Sequence, residues 1–303
     1  MYNTKNYFLI DKKVIENNNE LMFNLYGRNK VDEVLRLIYE KGKSSFDTIV
    51  NCKYIYVHEE NRVLYKIHYN NFTNNKLVPI DMKSFYDTIC LDIKKLFKNP
   101  ESIKNVEEAK KIVKELVGII DQSDFTSTSL VAILSFDFYI YTHSLNVCIY
   151  AICVGKQMLW SNSSLKELGL AALLHDIGET QINPSVINKD GFLTSSEFQE
   201  VQNHPVHGWL IAKKVGITNK NILSGIRNHH EKMDGTGYPD KLKNNEIHIY
   251  AKIISVCDIF DALTTKKTYK DSKSTFDTLH LMKKEMFNQI DSKIINHFIR
   301  IFK

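Results

Sequence analysis

Seven residues able to bind protons or metals, His143, His175, Asp176, His204, His229, His230 and Asp258, are each bracketed by apolar sequence of helical character. His175-Asp176 ends the run LGLAALL, His204 ends the helical run that starts at Thr194, and Asp258 lies within IISVCDIFDAL. Such placement points these side chains inward. A buried imidazole or carboxylate is costly unless it is paired or coordinated. One histidine near a core is more often a structural residue; the full set, in this order, favours a shared site. Neutral imidazoles bind transition metals, a carboxylate can bridge two of them, and the lack of nearby cysteines disfavours structural zinc. Two ions about 3.5 to 4 Å apart can activate a water and stabilise the oxygens of an in-line phosphoryl displacement. His229 and His230, as helical neighbours, would point about 100° apart. They could reach one metal from two directions, or one could be the ligand and the other its support.

Composition narrows the scaffold. The chain has 12 glycines and 5 prolines in 303 residues, and most of the glycines fall between Gly155 and Pro239, with Pro184, Pro205 and Pro239. That scarcity predicts a helix-rich globular chain and disfavours a many-turned β-sandwich. The net charge of +5 is spread among acids, which suits an anionic substrate without arguing for duplex nucleic acid. Cys52, Cys90, Cys148, Cys153 and Cys257 are scattered and form no C-x-x-C pair, which fits reduced thiols in a cytoplasmic protein. The polar start, Met1 to Asn6, shows no signal peptide. Leu130 to Val154 is long enough to span a bilayer but carries Asp137, Thr142, His143, Ser144 and Asn146, so it reads as buried core helix rather than membrane.

Along the chain, Tyr54 to Tyr69 reads as a hairpin around an EEN turn, while Val31 to Tyr39 and Phe85 to Phe97 have helical spacing. His58 and His68 read as strand-surface residues. Residues 1–100 therefore form a small α+β module, with a connector helix over 101–122 and an almost wholly helical domain over 123–303. The overall class is α+β, an N-terminal α+β module followed by an all-α bundle. Ser164-x-x-Glu167 and Thr194-x-x-Glu197 match the capping-box pattern for helix starts, and Asn188 to Gly191 reads as a turn.

The segments HDIGETQINPSVINKDGFLT, NHPVHGWLIAK, NHHEKMDGTGYP and ISVCDIFDALTTKKTYK together resemble the HD-GYP subgroup of the HD phosphohydrolase superfamily. The similarity runs from Ser123 to Lys270, about half the chain. It implies a helical bundle that binds two or three metals, usually iron or manganese, and hydrolyses cyclic di-GMP to pGpG or onward to GMP. By position it implies metal ligands at His143, His175, Asp176, His204, His229, His230 and Asp258, with His175 and Asp176 at the catalytic centre and Asp176 bridging. Gly237, Tyr238 and Pro239 would face the substrate, and Lys267 and Lys270 would contact its phosphates. Lys267 stands where arginine is more usual, which keeps the charge and loses a bidentate grip.

Two departures matter more. The family commonly reads HDIGK, and here the last position is Glu179, a carboxylate beside the substrate that would repel a phosphodiester or lend proton-transfer or metal chemistry. Tyr139 replaces a glutamate that serves a third metal, so a binuclear Fe or Mn site is expected. The alternatives are a weakly active or inactive domain that binds cyclic di-GMP or a protein partner, and a hydrolase of another cyclic dinucleotide or nucleotide. The N-terminal module would be regulatory or would mediate a homodimer. Glu231, Asp234 and Asp261 are candidates to accept the second N–H of a ligand histidine, with a turn or cap role equally open for Asp234. His207 reads as supporting or surface, and His248, His280 and His297 as surface or tail residues.

Overall fold

The computed structural model describes residues 7–10, 15, 21, 24–29, 35–40, 52–58, 82–121, 140–189, 191–265 and 274–302. The chain divides into two compact units, residues 1–87 and 88–303. In the first, strands β1 (Tyr7–Ile10), β2 (Leu25–Arg28), β3 (Arg36–Tyr39) and β4 (Tyr54–His58) form an antiparallel sheet in the order β1-β4-β2-β3. Alternation along β4 sends Ile55 and Val57 into a cluster with Ile10, Leu25 and Tyr39, and Tyr56 into another with Tyr26 and Leu35.

Of the helix expected over Val31 to Tyr39, residues 36–39 are instead strand β3, and residues 31–34 lie outside the described residues. The register of β3 against β2 slips between Leu25 and Tyr26. The first run of the expected hairpin is β4; the second lies outside the described residues, as does His68.

The second unit is helical: α1 (Met82–Lys98), α2 (Ile103–Ile120), α3 (Ile140–Gln157), α4 (Asn162–Leu173), α5 (Pro184–Ile187), α6 (Ser195–Val201), α7 (His204–Lys214), α8 (Lys220–Asn228), α9 (Ile249–Thr264), α10 (Thr275–Glu285) and α11 (Ser292–Arg300). Helix α1 begins before the division at 87/88. Helix α2, expected as a connector, buries Val106, Ala109, Val113, Leu116 and Val117 and packs on α4. Its apolar stripe recurs every three or four residues, as a core-facing helix requires.

Residues 142–155 of α3 are all buried, and α3 is surrounded by α2, α4, α9 and α11. A helix enclosed on every side belongs in a core. Among the described residues, no helix is long and apolar enough to cross a membrane.

Two helix starts differ from expectation. Ser161, not Ser164, caps α4 by accepting from Ser164 N, and Glu167 instead accepts from the Tyr250 hydroxyl and from Asn221. At Thr194 the capping box is present. The helix it starts ends at Val201, and His204 opens α7 rather than closing α6.

A 3-10 turn over Ile177–Gln181 follows the His175-Asp176 pair and lies against α7. The approach depends on Gly178: a Cβ there would sit 2.0 Å from His204 O and 2.4 Å from Gly208 N. Both neighbours are backbone, so neither can rotate away. Gly178→Ala is therefore expected to destabilise the domain by about 3 kcal/mol and to move His204 away from Asp176. Thermal unfolding together with zinc or manganese titration of the variant checks both effects; a wild-type melting temperature and metal affinity would contradict them.

Candidate metal centre

The seven residues singled out in the sequence converge. His143 lies in the first turn of α3, His175 and Asp176 follow α4, and His204 opens α7. His229 and His230 follow α8, and Asp258 sits on α9. All are buried except His230 and Asp258, which are partly so. They form two groups whose potential ligand atoms lie within 4.8 Å of one another: Asp176, His204, His229 and His230, and His143, His175 and Asp258.

Asp176 stands between them. Its Oδ1 is 3.3 Å from His204 Nε2 and 3.5 Å from His229 Nε2, while Oδ2 is 3.1 Å from His175 Nε2 and 3.5 Å from His143 Nε2. Each carboxylate oxygen thus faces a different pair of imidazoles. Asp258 is also shared, with Oδ1 3.2 Å from His143 Nε2 and Oδ2 3.9 Å from His230 Nδ1.

Backbone carbonyls fix the histidine tautomers. Nδ1 of His175, His204 and His229 lies 2.8, 2.8 and 2.7 Å from the carbonyl three residues earlier, at Ala172, Val201 and Ile226. A carbonyl only accepts, so each Nδ1 must carry the proton, and in the neutral imidazole each Nε2 presents a lone pair to the centre. These carbonyls lie in the final turns of α4, α6 and α8, where helices leave acceptors unsatisfied. His143 is held differently: Nδ1 donates to Asp261 Oδ2 at 2.8 Å, and Asn146 Nδ2 donates to Asp261 Oδ1 at 2.8 Å. Asp261 was anticipated as such an acceptor. Asn146 was not, although a buried amide one turn after a ligand-type histidine is the signal that could have marked it.

This donor set fits a cation. His204 Nε2 and His229 Nε2, both lone-pair atoms, are 3.1 Å apart, and the buried His175 Nε2 has no hydrogen-bond partner. Lone pairs from imidazole and carboxylate pointed at one another repel unless positive charge lies among them. All the donors are nitrogen or oxygen, a set suited to divalent transition metals.

The electrostatics agree. Burial opposes ionisation of Asp176, but positive charge at the imidazoles around it, His175 first, holds its carboxyl well below the usual range in the metal-free protein. Burial likewise opposes ionisation of Asp258, and His143 and His230 outweigh it. Burial, joined by the charge of His229, lowers His230 well below the ordinary histidine value. Glu179, on the 3-10 turn, is pushed up to about 7, first by burial and then by the negative charge of Asp176.

The GYP segment closes over the same region. Tyr238 N donates to His230 O at 3.3 Å, and its ring lies over the His230 imidazole at 4.8 Å and 29°. Gly237 is required by close packing, because a Cβ would lie 2.4 Å from Lys232 N and 2.5 Å from Glu231 Cα. The Tyr238–Pro239 peptide is cis. Glu231 and Asp234, candidates to support a histidine, bind loop amides instead: Glu231 accepts from Asp240 N and Leu242 N, and Asp234 from Thr236. His207 is partly buried on α7 and belongs to neither group. His248 caps α9, His280 is exposed, and His297 is partly buried on α11. Tyr139, Lys267 and Lys270 lie outside the described residues.

A family model described as HD domain matches residues 125–294. A cyclic di-GMP phosphodiesterase of Pseudomonas aeruginosa is 31% identical over 192 residues, which cover 63% of this chain and 46% of that protein. A 3'3'-cGAMP-specific phosphodiesterase of Vibrio cholerae is 33% identical over 153 residues, covering 50% of this chain and 33% of the relative. The chain thus spans less than half the length of these relatives. A solved HDG"Y"P protein from Bdellovibrio bacteriovorus shares the fold with a TM-score of 0.62 at 16% identity, over 97% of this chain and 99% of that one. With its His175-Asp176 pair and its Gly237-Tyr238-Pro239 loop meeting at one centre, the chain belongs to the HD domain family, as an HD-GYP member.

Proposed function

We propose that the chain is a metal-dependent phosphodiesterase that hydrolyses cyclic di-GMP to pGpG, GMP or both. The observation that carries this reading is the division of Asp176, with one oxygen toward His204 and His229 and the other toward His175 and His143. His143, His175, Asp176 and Asp258 would hold one divalent ion, and Asp176, His204, His229 and His230 a second. Iron or manganese suits these nitrogen and oxygen donors. Bound there, such ions lower the pKa of water and balance charge on phosphoryl oxygens. The protein's own part is to orient lone pairs through fixed tautomers, to exclude water with α3 and α9, and to present the Gly237-Tyr238-Pro239 loop to the substrate. Lys267 and Lys270 would add charge toward its phosphates, residues 1–100 would serve regulation or dimerisation, and the setting would be cytoplasmic.

A second reading, another cyclic dinucleotide as substrate, is favoured by the Vibrio relative named for 3'3'-cGAMP. A third, a domain that binds cyclic di-GMP without efficient turnover, is favoured by the Glu179 carboxyl beside Asp176.

Iron- or manganese-loaded protein is expected to cleave cyclic di-GMP, and His175→Ala to lose at least about 10³-fold in kcat, the scale of removing a catalytic group. Turnover of 3'3'-cGAMP alone would select the second reading, and binding without turnover in any metal state the third. Asp261→Asn should weaken metal binding about 10- to 100-fold, read by calorimetric titration; unchanged affinity would remove Asp261 from the account. Glu179 gives a pH signature. In the metal-free protein it is neutral below about 7; divalent ions nearby favour the carboxylate, which repels a phosphodiester, so in the loaded protein the change falls at lower pH. The KM for cyclic di-GMP should therefore rise as pH climbs through the Glu179 pKa, and Glu179→Gln should flatten the rise. Identical profiles for the two proteins would refute the assignment.

A further inference from the structure

The loop that follows His230 is tied down at two carboxylates. Buried Glu231 accepts from Asp240 N at 2.6 Å and Leu242 N at 3.0 Å. Between those two amides Lys241 has φ 55, in the left-handed region that disfavours residues other than glycine. Such a conformation persists where its surroundings over-determine it.

Asp240 is the other anchor. Arg227 donates to it twice, Nε to Oδ2 at 2.8 Å and Nη2 to Oδ1 at 2.7 Å, and Asn228 Nδ2 adds a bond of 2.9 Å. An exposed ion pair with one contact contributes little. This pair is bidentate, shares its acceptor with Asn228 and is about two-thirds buried, with side-chain exposures of 27% and 34%.

The geometry links three parts of the centre. Arg227 lies in the last turn of α8, just before His229 and His230. Its guanidinium carbon is 5.0 Å from the centroid of the Trp209 ring on α7, the helix that opens with His204, and Lys213 Nζ is 4.4 Å from the same ring. Asp240 follows the Tyr238-Pro239 pair directly. One arginine thus joins the helices bearing three of the site histidines to the loop that lays Tyr238 over His230.

We propose that Arg227 and Asp240 are a positioning pair, clamping the Gly237-Tyr238-Pro239 loop onto α7 and α8 so that the loop meets a cyclic dinucleotide in one conformation. The pair acts on substrate affinity and leaves the metal centre intact. This assignment rests on the cyclic dinucleotide reading, and its test separates the two.

In full-length, metal-loaded protein, Asp240→Asn is expected to speed amide exchange at Tyr238 and Leu242 about tenfold, as a local opening becomes easier. The KM for cyclic di-GMP should rise about fivefold while kcat changes less than about twofold, with metal content unchanged. Arg227→Lys, which keeps the charge but not the fork, should fall between wild type and Asp240→Asn. Exchange and KM at wild-type values in Asp240→Asn would overturn the proposal. A loss of metal, or an equal fall in kcat and kcat/KM, would overturn it too, because the pair would then be holding the centre rather than the loop. If the wild-type protein turns over no cyclic dinucleotide, the functional reading fails, while faster exchange confined to residues 231–243 still supports the clamp.

Discussion

The arrangement of this domain depends on hydrogen bonds from histidine Nδ1 to carbonyls at helix ends. The last carbonyls of a helix have no partner within it, and α4, α6 and α8 each offer one to an imidazole three residues further on. Two needs are met together. The carbonyl is satisfied, and the ring is fixed in the tautomer that turns Nε2 inward. Because the bond forms only where a helix stops, the chain must break beside every such histidine, which accounts for the turns after His175 and His229 and for the gap between α6 and α7. Gly178 allows the broken ends to come close enough for His204 to meet Asp176.

That dependence explains what the sequence could and could not disclose. The identities of the site residues were legible, because His143, His175 and Asp258 stand in apolar helical runs where an unpartnered imidazole or carboxylate has no other use. Where the helices end was less legible. His204 looks like the end of one helix and is the start of another; the sequence signal for the break at Gln202 and Asn203 is Pro205, which fits the first turn of a helix and not its interior. Support of His143 by Asp261, 118 residues away, could be guessed from residue type; the part of Asn146 was marked only by its place one turn after His143 on an apolar helix. The described end of Val31 to Tyr39, residues 36–39, misled for a different reason. Its strand spans only four residues beside a register slip, too short for alternation to outweigh an accidental three-and-four spacing.

The two carboxylates of the GYP loop show the same limit. Glu231 and Asp234 sit near a pair of histidines in sequence and were natural candidates to support them, yet both are used by backbone amides. A turn with a left-handed lysine exposes consecutive N–H groups, and the nearest buried carboxylate is drawn to them before it can reach an imidazole whose Nδ1 is already bonded. Competition between local acceptors, rather than residue type, decides these roles.

Charge balance sets the demand on any ligand of this centre. Asp176 and Asp258 are held ionised in a buried site, and buried carboxylates need compensation from neighbours or metal. Burial opposes protonation of His143, and hydrogen bonds to Asp258 and Asp261 reverse that, so the proton on His143 offsets part of the charge in the metal-free protein. His229 and His230 are lowered and give little. Metal uptake therefore competes with protons at His143 and gains strength as pH rises. Two divalent ions would bring four positive charges against the carboxylates of Asp176, Asp258 and Asp261, leaving a surplus of one toward an anionic ligand. Ionised Glu179 would cancel that surplus. The charge state of one residue outside the ligand set therefore weighs on how strongly the centre attracts an anion.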